Sequence, residues 1–598
     1  MKVPLPPPEI SRRRFVKIAA LVTAALAASS RRTFGADAVD PDRLPYGGTW
    51  NGIVGVRDVD PDGYAQHGAT LASSSSAATI NAALAAATAA GGSRVVRLGA
   101  GTFTINADIM VTDRAALKGQ VDANGIPTTI LNFTDETKHI YISKSTNSLD
   151  YYQGSTGGWT TRNVSSGFSR GSSAVVVSST PTGLLVGNLL YLSAPGSAAT
   201  GNIAASEFTR LFNEDGSSVS RPWTQMVKVT AVTGTTVTFT PAINADYLTG
   251  TLQVHWRDLD DQINYAGIEN LSVKCDNGAT MFDNNIVILQ GANQCWVRNC
   301  FLYGVGGGSF IRNMVHFFAC YGCELSHSDL TYGEPEASSS MYAMTTWGCS
   351  GLLIVNNHIT QTANTCPVLR TDGSVFAYNY IHAMRYNTFL SQWIFDHGSQ
   401  NHYNLYEGNH LPTAYNDGST DGNSSAGRNN HYIRNRMAGW ETGKNTNLNA
   451  ITFREDHVNV TMAANVLGTV GVQDGVEGDG GSQGENEGYI YNTFTSVDTT
   501  MDRLGNYNTI TGGIPAGEAL GSNTVATSYV YAEKPDWFGD RPWPPITPSS
   551  FSQSDDPENL PAGYRSINGE DPPDDGEEDG SVTSVSGASR PGLARGRR

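Results

Sequence analysis

Ile354-Val355-Asn356-Asn357-His358-Ile359 is one copy of a short run that recurs between residues 295 and 494. Each copy has β-prone residues, then asparagine or another small polar residue, then a large apolar residue. If positions 299, 328, 357, 379, 409, 435, 465 and 492 are equivalent, successive copies lie 22 to 30 residues apart. This irregular spacing predicts a solenoid whose coils each contain three short strands and loops of variable length.

Asparagine suits the position where each coil bends sharply after its strand, because it tolerates a left-handed backbone conformation. In coils stacked about 4.8 Å apart, its amide can also bond to the amides above and below, which satisfies buried polar groups. Cys320 and Cys349 are 29 residues apart. We therefore expect them to stack on adjacent coils, as a disulfide or, as we favour, as two packed thiols.

The repeat, together with Val95-Val96-Arg97-Leu98-Gly99-Ala100-Gly101-Thr102-Phe103-Thr104-Ile105 after a small-residue helix, resembles the pectate-lyase-like superfamily. The similarity is to its rhamnogalacturonase/epimerase-type lyase domain and covers roughly residues 50–500. It implies an all-β fold, a right-handed parallel β-helix with an N-terminal capping helix over Ala77 to Ala90 and a small β-rich insertion. It also implies that a polysaccharide lies along an outer face of the stack. The superfamily holds lyases, hydrolases, epimerases and phage adhesins, so the reaction stays open.

The balance of charges narrows the class of partner. The chain has 39 basic and 56 acidic residues, a net charge of −17. This argues against nucleic acid or an anionic membrane, because neutralising phosphates needs a basic face. No stretch beyond the N-terminal signal is long and apolar enough to span a membrane. We expect a monomer that binds a polysaccharide.

The N-terminus has the features of an export signal. Ser11-Arg12-Arg13-Arg14-Phe15-Val16-Lys17 precedes a short apolar run from Ile18 to Ala28 and resembles a bacterial Tat signal. This resemblance implies export of the folded protein to the periplasm or the medium. The predicted parts of the chain are a signal and pro-segment over 1–38, an N-terminal cap with the first coils over 45–150, a β-rich insertion over 151–255, the main β-helix over 256–500, a C-terminal cap segment over 501–550, and a disordered acidic tail over 551–598.

Polar and aromatic residues that suit a sugar ring concentrate between residues 385 and 457. Sugar C–H faces stack on aromatic rings, and sugar hydroxyls bond to carboxylates and amides. Our catalytic candidates are Asp396, His397, His402, Glu407, Asp417 and Asp421. Our substrate-binding candidates are Arg370, Arg385, Trp393, Tyr406 and Arg428.

Three of these candidates have specific structural alternatives. If the asparagine is the turn residue, residues two and four positions before it face inward, which puts Glu407 in the interior. There it would be held by an arginine or an amide, or be a general acid with a raised pKa. Asp396 and His397 precede a glycine turn, and Trp393-Ile394-Phe395-Asp396-His397 resembles the Trp-Ile-Asp-His signature of pectate lyases with one extra residue. The structural alternative is a turn-capping aspartate and a histidine bonded to a carbonyl.

Two arginines align with acids on neighbouring coils. Arg370 aligns with Gln400 and Asp456 when each is counted back from the repeat asparagine, and Arg428 aligns with His402 and Asp372. This alignment predicts either a structural column of ion pairs or a site for a uronate carboxylate, whose geometry a guanidinium matches.

We prefer a polysaccharide lyase that acts by β-elimination on uronic acid units. Elimination requires neutralisation of the substrate carboxylate by an arginine or by Ca²⁺, and a base such as His, Lys, Arg or Tyr. His397, His402, Arg370, Arg428 and Tyr406 would fill these roles. The sequence does not identify the ligands of a metal.

Two alternatives remain open. A glycoside hydrolase needs two carboxylic acids about 5–10 Å apart, one of them protonated. Asp396, Asp417 and Asp421, with Glu407 in reserve, are the candidates for that reaction. The absence of any complete catalytic motif motivates the other alternative, a non-catalytic carbohydrate binder at the cell surface.

Overall fold

We describe the protein from a computed structural model. It describes residues 39, 43–45, 50, 54 and 61–568, except for 136, 145–158, 195–222, 246–249, 276–284, 305–312, 333–341, 364–365, 385–387, 391–393, 397–400, 417–426, 454–456, 479–487, 494–496, 498–499 and 522–523.

The body is a right-handed parallel β-helix, as predicted. Successive coils place one strand in each of three parallel sheets. Within the described residues, sheet I has the strands Ala65–Gln66, Arg94–Arg97, Ala115–Lys118, Gly267–Glu269, Trp296–Arg298, Glu324–Ser326, Leu353–Val355, Val375–Ala377, Leu405–Glu407, His431–Ile433, Thr461–Ala463 and Asp502–Leu504. Sheet II has the strands Gly101–Ile105, Thr129–Phe133, Leu271–Cys275, Phe301–Gly304, Asp329–Tyr332, His358–Thr360, Tyr380–His382, His410–Leu411, Arg436–Met437, Val466–Leu467 and Tyr507–Asn508. Sheet III has the strands Ile109–Val111, Ile140–Ile142, Asn285–Gln290, Asn313–Phe318, Tyr342–Trp347, Cys366–Leu369, Ile394–Asp396, Ala414–Asn416, Ile451–Phe453, Tyr489–Thr493 and Gly475–Gly478.

The predicted asparagine ladder exists between sheets I and II. The side-chain amide of Asn357 donates to Asn379 at 3.0 Å, Asn379 donates to Asn409 at 3.0 Å, and the series continues to Asn435 and Asn465. Each of these side chains also donates to a carbonyl of a neighbouring coil, as Asn409 does to Phe376 at 2.9 Å. The ladder therefore satisfies polar groups that are completely buried.

Three details of the repeat differ from the prediction. Asn299 lies one residue before the ladder position, where its amide bonds to Asn270 at 2.9 Å. Asn492 lies in a strand of sheet III, and Asn506 continues the ladder in its place. The left-handed conformation falls on the residue before each ladder asparagine, for example Tyr378 with φ of 56°. The backbone bends there, so the asparagine itself is free to point into the stack.

The N-terminal helix closes the first coil, as expected. It spans Ala77–Ala89, and the side chain of Ser76 caps it by accepting from the backbone N–H of Thr79 at 3.3 Å. Its buried face, which includes Ile80 and Leu84, belongs to the same apolar core as the first strands of all three sheets. Without this helix the apolar interior of the first coil would be open to water.

The β-rich insertion is a closed antiparallel barrel with its own apolar core. Its polar tip, expected at 201–221, lies outside the described residues. The six described strands are Thr160–Ser166, Ala174–Val177, Leu189–Ala194, Trp223–Thr233, Thr236–Thr240 and Gln253–Trp256.

The inward phase predicted for sheet I is wrong by one residue. Phe376, Tyr406 and Tyr432 point into the solenoid and stack, with ring centroids 5.1 and 4.6 Å apart. Leu405 and Glu407 point to the outer face of sheet I instead, which is buried because later residues cover it. The prediction assumed that an apolar position must be interior, whereas here both faces of the sheet are covered.

The cover of sheet I is the C-terminal segment, which we define as residues 524–568. Val525, Tyr529, Val530 and Phe538 pack on the outer face of sheet I. The segment ends in the terminal helices, Phe551–Ser554 and Pro561–Asn568. The prediction of disorder from residue 551 onward is therefore wrong for residues 551–568, because Leu560 and Ala562 are buried against the β-helix. A separate two-stranded parallel sheet is formed by Ile263–Asn264 and Ala292–Asn293. The described elements also include the short 3₁₀ turns Pro61–Gly63, Leu259–Asp261, Ala516–Glu518, Asp536–Phe538 and Pro557–Asn559.

The seven cysteines are free and buried. Cys320 interacts with Cys349, as the 29-residue spacing predicts, and the thiols are packed rather than bonded covalently. Cys320 also interacts with Cys323. Burial raises the pKa of Cys320 well above its ordinary value. No described helix has the length and apolar character to cross a membrane.

Candidate functional site

The outer face of sheet III lies between two raised borders. Alternate strand residues such as Val315 and Phe317 belong to the core, so the residues between them, including His316 and Thr345, lie on the outer face. The same alternation places Tyr415 and Thr452 there further down the stack. These four outward-facing side chains are aromatic or hydroxyl-bearing, and neighbouring parts of the chain bury them.

One border is the corner between sheets III and I. Isolated parallel bridges join Ser350 to Asp372, Asp372 to His402, and His402 to Arg428. The predicted alignment of Arg428 with His402 and Asp372 is therefore confirmed. The barrel rests on this corner: Tyr191 donates to the carbonyl of Gly348 at 2.5 Å, and the backbone N–H of Met226 donates to Ser350 at 2.8 Å.

Asp372 has no ion pair among the described residues of this corner, and the predicted neighbours of Arg370, which are Gln400 and Asp456, lie outside them. Oδ2 of Asp372 accepts from the side-chain amide of Asn244 in the barrel at 3.0 Å, and Oδ1 is buried without a hydrogen-bond partner within the described residues. Burial raises the pKa of Asp372 to about 8, so the carboxyl is mostly protonated at neutral pH. A neutral carboxyl can be buried without an arginine beside it, and the described residues place none against Asp372.

Arg370 follows the sheet III strand Cys366–Leu369 at the same corner. The residue is 2% exposed, and its Nε and Nη2 atoms are buried with no hydrogen-bond partner in the described part of the chain. Burial lowers the pKa of its guanidinium to about 10, which still leaves it charged at neutral pH. A buried charge with unused donors is costly unless something binds it.

His402 and Arg428 lie one and two coils further along the corner. His402 is completely buried, and burial lowers its pKa well below the ordinary value, with Arg428 and His457 adding to the effect. The imidazole is therefore neutral at neutral pH. His457 is held neutral in the same way, because burial lowers its pKa to about 3.

The other border consists of two loops that pair over the short connection between Leu411 and Ala414. The backbone N–H of Leu390 donates to Thr446 at 3.0 Å, and that of Asn445 donates to Thr388 at 2.8 Å. At the base of these loops, Oε2 of Glu441 accepts from the backbone N–H of Met384 at 3.1 Å. Burial raises the pKa of Glu441 to about 7.

Glu441 was missed as a site candidate. The sequence places it among polar residues beside Trp440, but its contact is with a residue 57 positions earlier. No local pattern reports such a contact, because it depends on two loops from different coils meeting in space.

Asp396 ends a strand of sheet III instead of lying in a loop. Its backbone pairs with Val368 on one side and Asn416 on the other. Of the other predicted site residues, Arg385, Trp393, His397, Asp417 and Asp421 lie outside the described residues.

Glu407 and Tyr406 lie away from this face. Glu407 accepts from the hydroxyls of Tyr378 and Ser528 and from the backbone N–H of Tyr529 at 2.7 Å, beneath the C-terminal segment. Burial raises its pKa, while these hydrogen bonds and Arg434 oppose the rise. Tyr406 is completely buried in the solenoid interior. The structure thus favours the structural alternative for Glu407 and removes Tyr406 from the surface.

The described residues contain no cluster of three or more His, Cys, Asp or Glu side chains arranged to hold a metal ion. Within the part of the chain that the structure describes, the side chains therefore do not fit a Ca²⁺ site.

The architecture defines the class: a parallel β-helix protein with an inserted barrel and a covered outer sheet. Neither a scan against protein-family models nor a search of curated proteins found a match. Among solved structures, it is similar to the tailspike gp49 of Pseudomonas phage LKA1, with 13% identity over 69% of this chain and 74% of that chain and a TM-score of 0.39. It is also similar to the tailspike gp61 of Pseudomonas phage phi297, with 12% identity over 79% of this chain and 76% of that chain and a TM-score of 0.41. A third similar structure is the A-module of Azotobacter vinelandii mannuronan C-5 epimerase AlgE4, with 11% identity over 68% of this chain and 94% of that chain and a TM-score of 0.25. Likenesses this low carry no argument about function.

Proposed function

We propose that this protein is an exported carbohydrate-active enzyme that binds an acidic polysaccharide along the outer face of sheet III. The observation that carries the proposal is Arg370, whose buried guanidinium has unused donors at the edge of that face. A uronate carboxylate matches the fork of a guanidinium and would satisfy both donors, provided that the residues that bury Arg370 move aside when the polymer binds. In a chain with net charge −17, a specific arginine is needed to hold an anion.

The reaction we propose is β-elimination. With the substrate carboxylate neutralised by Arg370, a base removes the proton on C5, the C5–H electrons form a C4=C5 double bond, and the C4–O bond breaks. The leaving oxygen takes a proton from solvent. His397 is the proposed base, because His402 is completely buried, and Arg428 is a second proposed contact for the substrate.

A hydrolase is the second candidate. The backbone of Asp396 pairs with Asn416, the residue directly before Asp417. The candidate carboxylates for hydrolysis are Asp396, Asp417 and Asp421, of which Asp417 and Asp421 lie outside the described residues. A non-catalytic carbohydrate binder is the third candidate.

One panel of substrates separates the three. The full chain is incubated with a uronate-containing polysaccharide and with a neutral polysaccharide, and reducing ends and the ultraviolet absorbance of an unsaturated product are both followed. Elimination gives both signals from the acidic polymer alone. Reducing ends without absorbance indicate hydrolysis, and retention on the immobilised polymer without either signal indicates a binder. The proposal fails if the acidic polymer is neither cleaved nor retained.

The role of Arg370 is tested with Arg370→Gln, which keeps polar bulk but removes the charge. We expect at least about a tenfold loss of affinity or kcat/KM on the acidic polymer, in line with a charge-assisted pair. Arg541→Gln is the matched control, because that guanidinium packs on Tyr564 in the C-terminal segment. Equal effects of the two variants would contradict the assignment.

We also propose export to the periplasm or the medium through the Tat route. The supporting run, Arg12-Arg13-Arg14, lies outside the described residues. Replacing these three arginines with lysine should trap the full chain in the cytoplasm of a bacterial host, measured by cell fractionation.

A further inference from the structure

The terminal helices rest on a row of titratable side chains on the outer face of sheet II. Nε of Arg565 binds Oδ1 of Asp329 at 3.1 Å, and its Nη2 donates to the carbonyl of Asn356 at 2.8 Å. At the other end, Arg436 binds Asp555 through Nε at 2.8 Å and Nη2 at 2.7 Å. The terminal helices are therefore held at two points by arginine–aspartate pairs.

Between these two points lies a hydrogen-bonded histidine pair. Nε2 of His358 and Nε2 of His382 are 3.0 Å apart, and Oγ of Ser566 in the second terminal helix is 3.4 Å from Nε2 of His382. A hydrogen bond between two nitrogens requires one donor and one acceptor, so this contact needs at least one neutral ring. If both rings were protonated, two N–H groups would face each other and the bond would be lost.

His410 occupies the next position along the row. Its ring lies 5.4 Å from that of Tyr380, edge to face, and it is adjacent to Arg436. Burial lowers the pKa of His410 to about 4, with Arg436 adding to the effect and Asp555 opposing it. Burial lowers the pKa of His382 to about 3, and His358 and His410 add to that effect.

The remaining charged groups around the row do not reverse this balance. Asp329 faces His358 at 3.6 Å, but Arg565 already binds it, and Asp555 is bound by Arg436. Glu441 is adjacent to Tyr380. His327 lies under the same segment, edge-on to Trp537 at 5.3 Å, and burial with Arg565 and Arg298 lowers its pKa to about 3.

We propose that the terminal helices form an acid-released latch: protonation of His382 and His410 detaches residues 551–568 from sheet II while residues 524–543 stay bound to sheet I. When free, each histidine has a pKa near its ordinary value of about 6.5. Docking lowers these values, so docking is strongest above about pH 6.5 and weakens as the pH falls toward 4 and 3. Glu407 behaves in the opposite way: burial raises its pKa, so acid favours the buried state of the residue beneath 524–543.

Hydrogen exchange of the full chain at about pH 7.5 and about pH 5, corrected for the intrinsic pH dependence, tests the latch. We expect peptides from 551–568 to exchange at least about tenfold faster at the lower pH, and peptides from 524–543, which cover both His327 and Glu407, to change by a smaller factor. Unchanged protection of 551–568, or equal opening of both regions, would overturn the proposal.

The histidines are tested with the double variant His382→Gln and His410→Gln. Glutamine retains hydrogen-bonding groups but does not titrate, so the acid-induced increase should shrink to less than about twofold. His67→Gln, on the first coil, is the control and should respond like the wild type. The single variant His382→Gln should lose part of the response, and thermal unfolding at about pH 7.5 verifies that each variant folds. A full acid response in the double variant would also overturn the latch.

Discussion

The carboxyl of Asp372 accepts a hydrogen bond of 3.0 Å from the side-chain amide of Asn244, and this contact joins the solenoid to the inserted barrel. Both residues are buried, and burial raises the pKa of Asp372 to about 8. The barrel therefore contacts the solenoid through a carboxyl that is mostly uncharged at neutral pH.

Asp372→Asn should remove a pH dependence from stability. The folded pKa of Asp372 lies above its ordinary value of 3.8, so the wild type loses stability as the pH rises between about 4 and 8. The asparagine variant does not titrate. We expect its free energy of unfolding, relative to the wild type, to increase by about 1–3 kcal/mol between pH 5 and pH 9 in urea titrations. A constant difference would contradict the raised pKa.

Asn409→Ala should destabilise the solenoid. The side chain of Asn409 accepts from the backbone N–H of Asn379 at 2.9 Å and donates to the carbonyl of Phe376 at 2.9 Å. Alanine leaves these buried groups without partners, at a cost of about 2–4 kcal/mol in the free energy of unfolding. Asn124→Ala, at an exposed turn, should change it by less than about 0.5 kcal/mol. Similar losses in both variants would show that the ladder has no special role.

Glu407→Gln should alter the pH dependence of the C-terminal segment. Because burial raises the folded pKa of Glu407, wild-type stability decreases as the pH rises above about 4.5. Glutamine removes this slope but presents an N–H group to the donors Ser528 and Tyr529. We expect a loss of about 1–3 kcal/mol at pH 5 that becomes smaller at pH 8, measured by denaturant unfolding. A loss that grows with pH would refute this account.

The thiols should be inert in the folded protein. All seven cysteines are buried, and burial raises the pKa of Cys300 to about 12. We expect fewer than about one thiol per chain to react with an aromatic disulfide reagent at pH 8 under native conditions, because the thiolate is the reactive form. All seven should react in denaturant. Ser74→Cys, on the exposed surface, is the control and should add one fast-reacting thiol.

Local sequence patterns were sufficient for the architecture. The repeat around Asn357, Asn379 and Asn409 predicted stacked coils, because a ladder of amides needs one asparagine at the same point of every turn. The N-terminal helix and the β-rich insertion were likewise predicted from local signals.

The site was predicted less well. We expected Glu407 inside the solenoid and Tyr406 at the surface, whereas Tyr406 points inward and Glu407 lies on the outer face of sheet I. The sequence did not distinguish these two adjacent strand residues, because both faces of the sheet are covered. The tail beyond residue 551 contains much polar sequence, yet Arg565 and Asp329, 236 residues apart, pair on sheet II. Glu441 acquires its altered pKa from a loop of another coil.

The amino-acid sequence alone was enough to establish the coil, meaning its approximate length, its turn residues and the amides that stack at each level. These features depend on neighbours in sequence or on the recurrence of the same short pattern. The assembled fold decided which outer faces are covered, where the barrel rests, and which ionisable groups lose their water. The reason is physical: a pKa and a covered face depend on desolvation by residues that come from distant parts of the chain, and desolvation is a property of the packed volume.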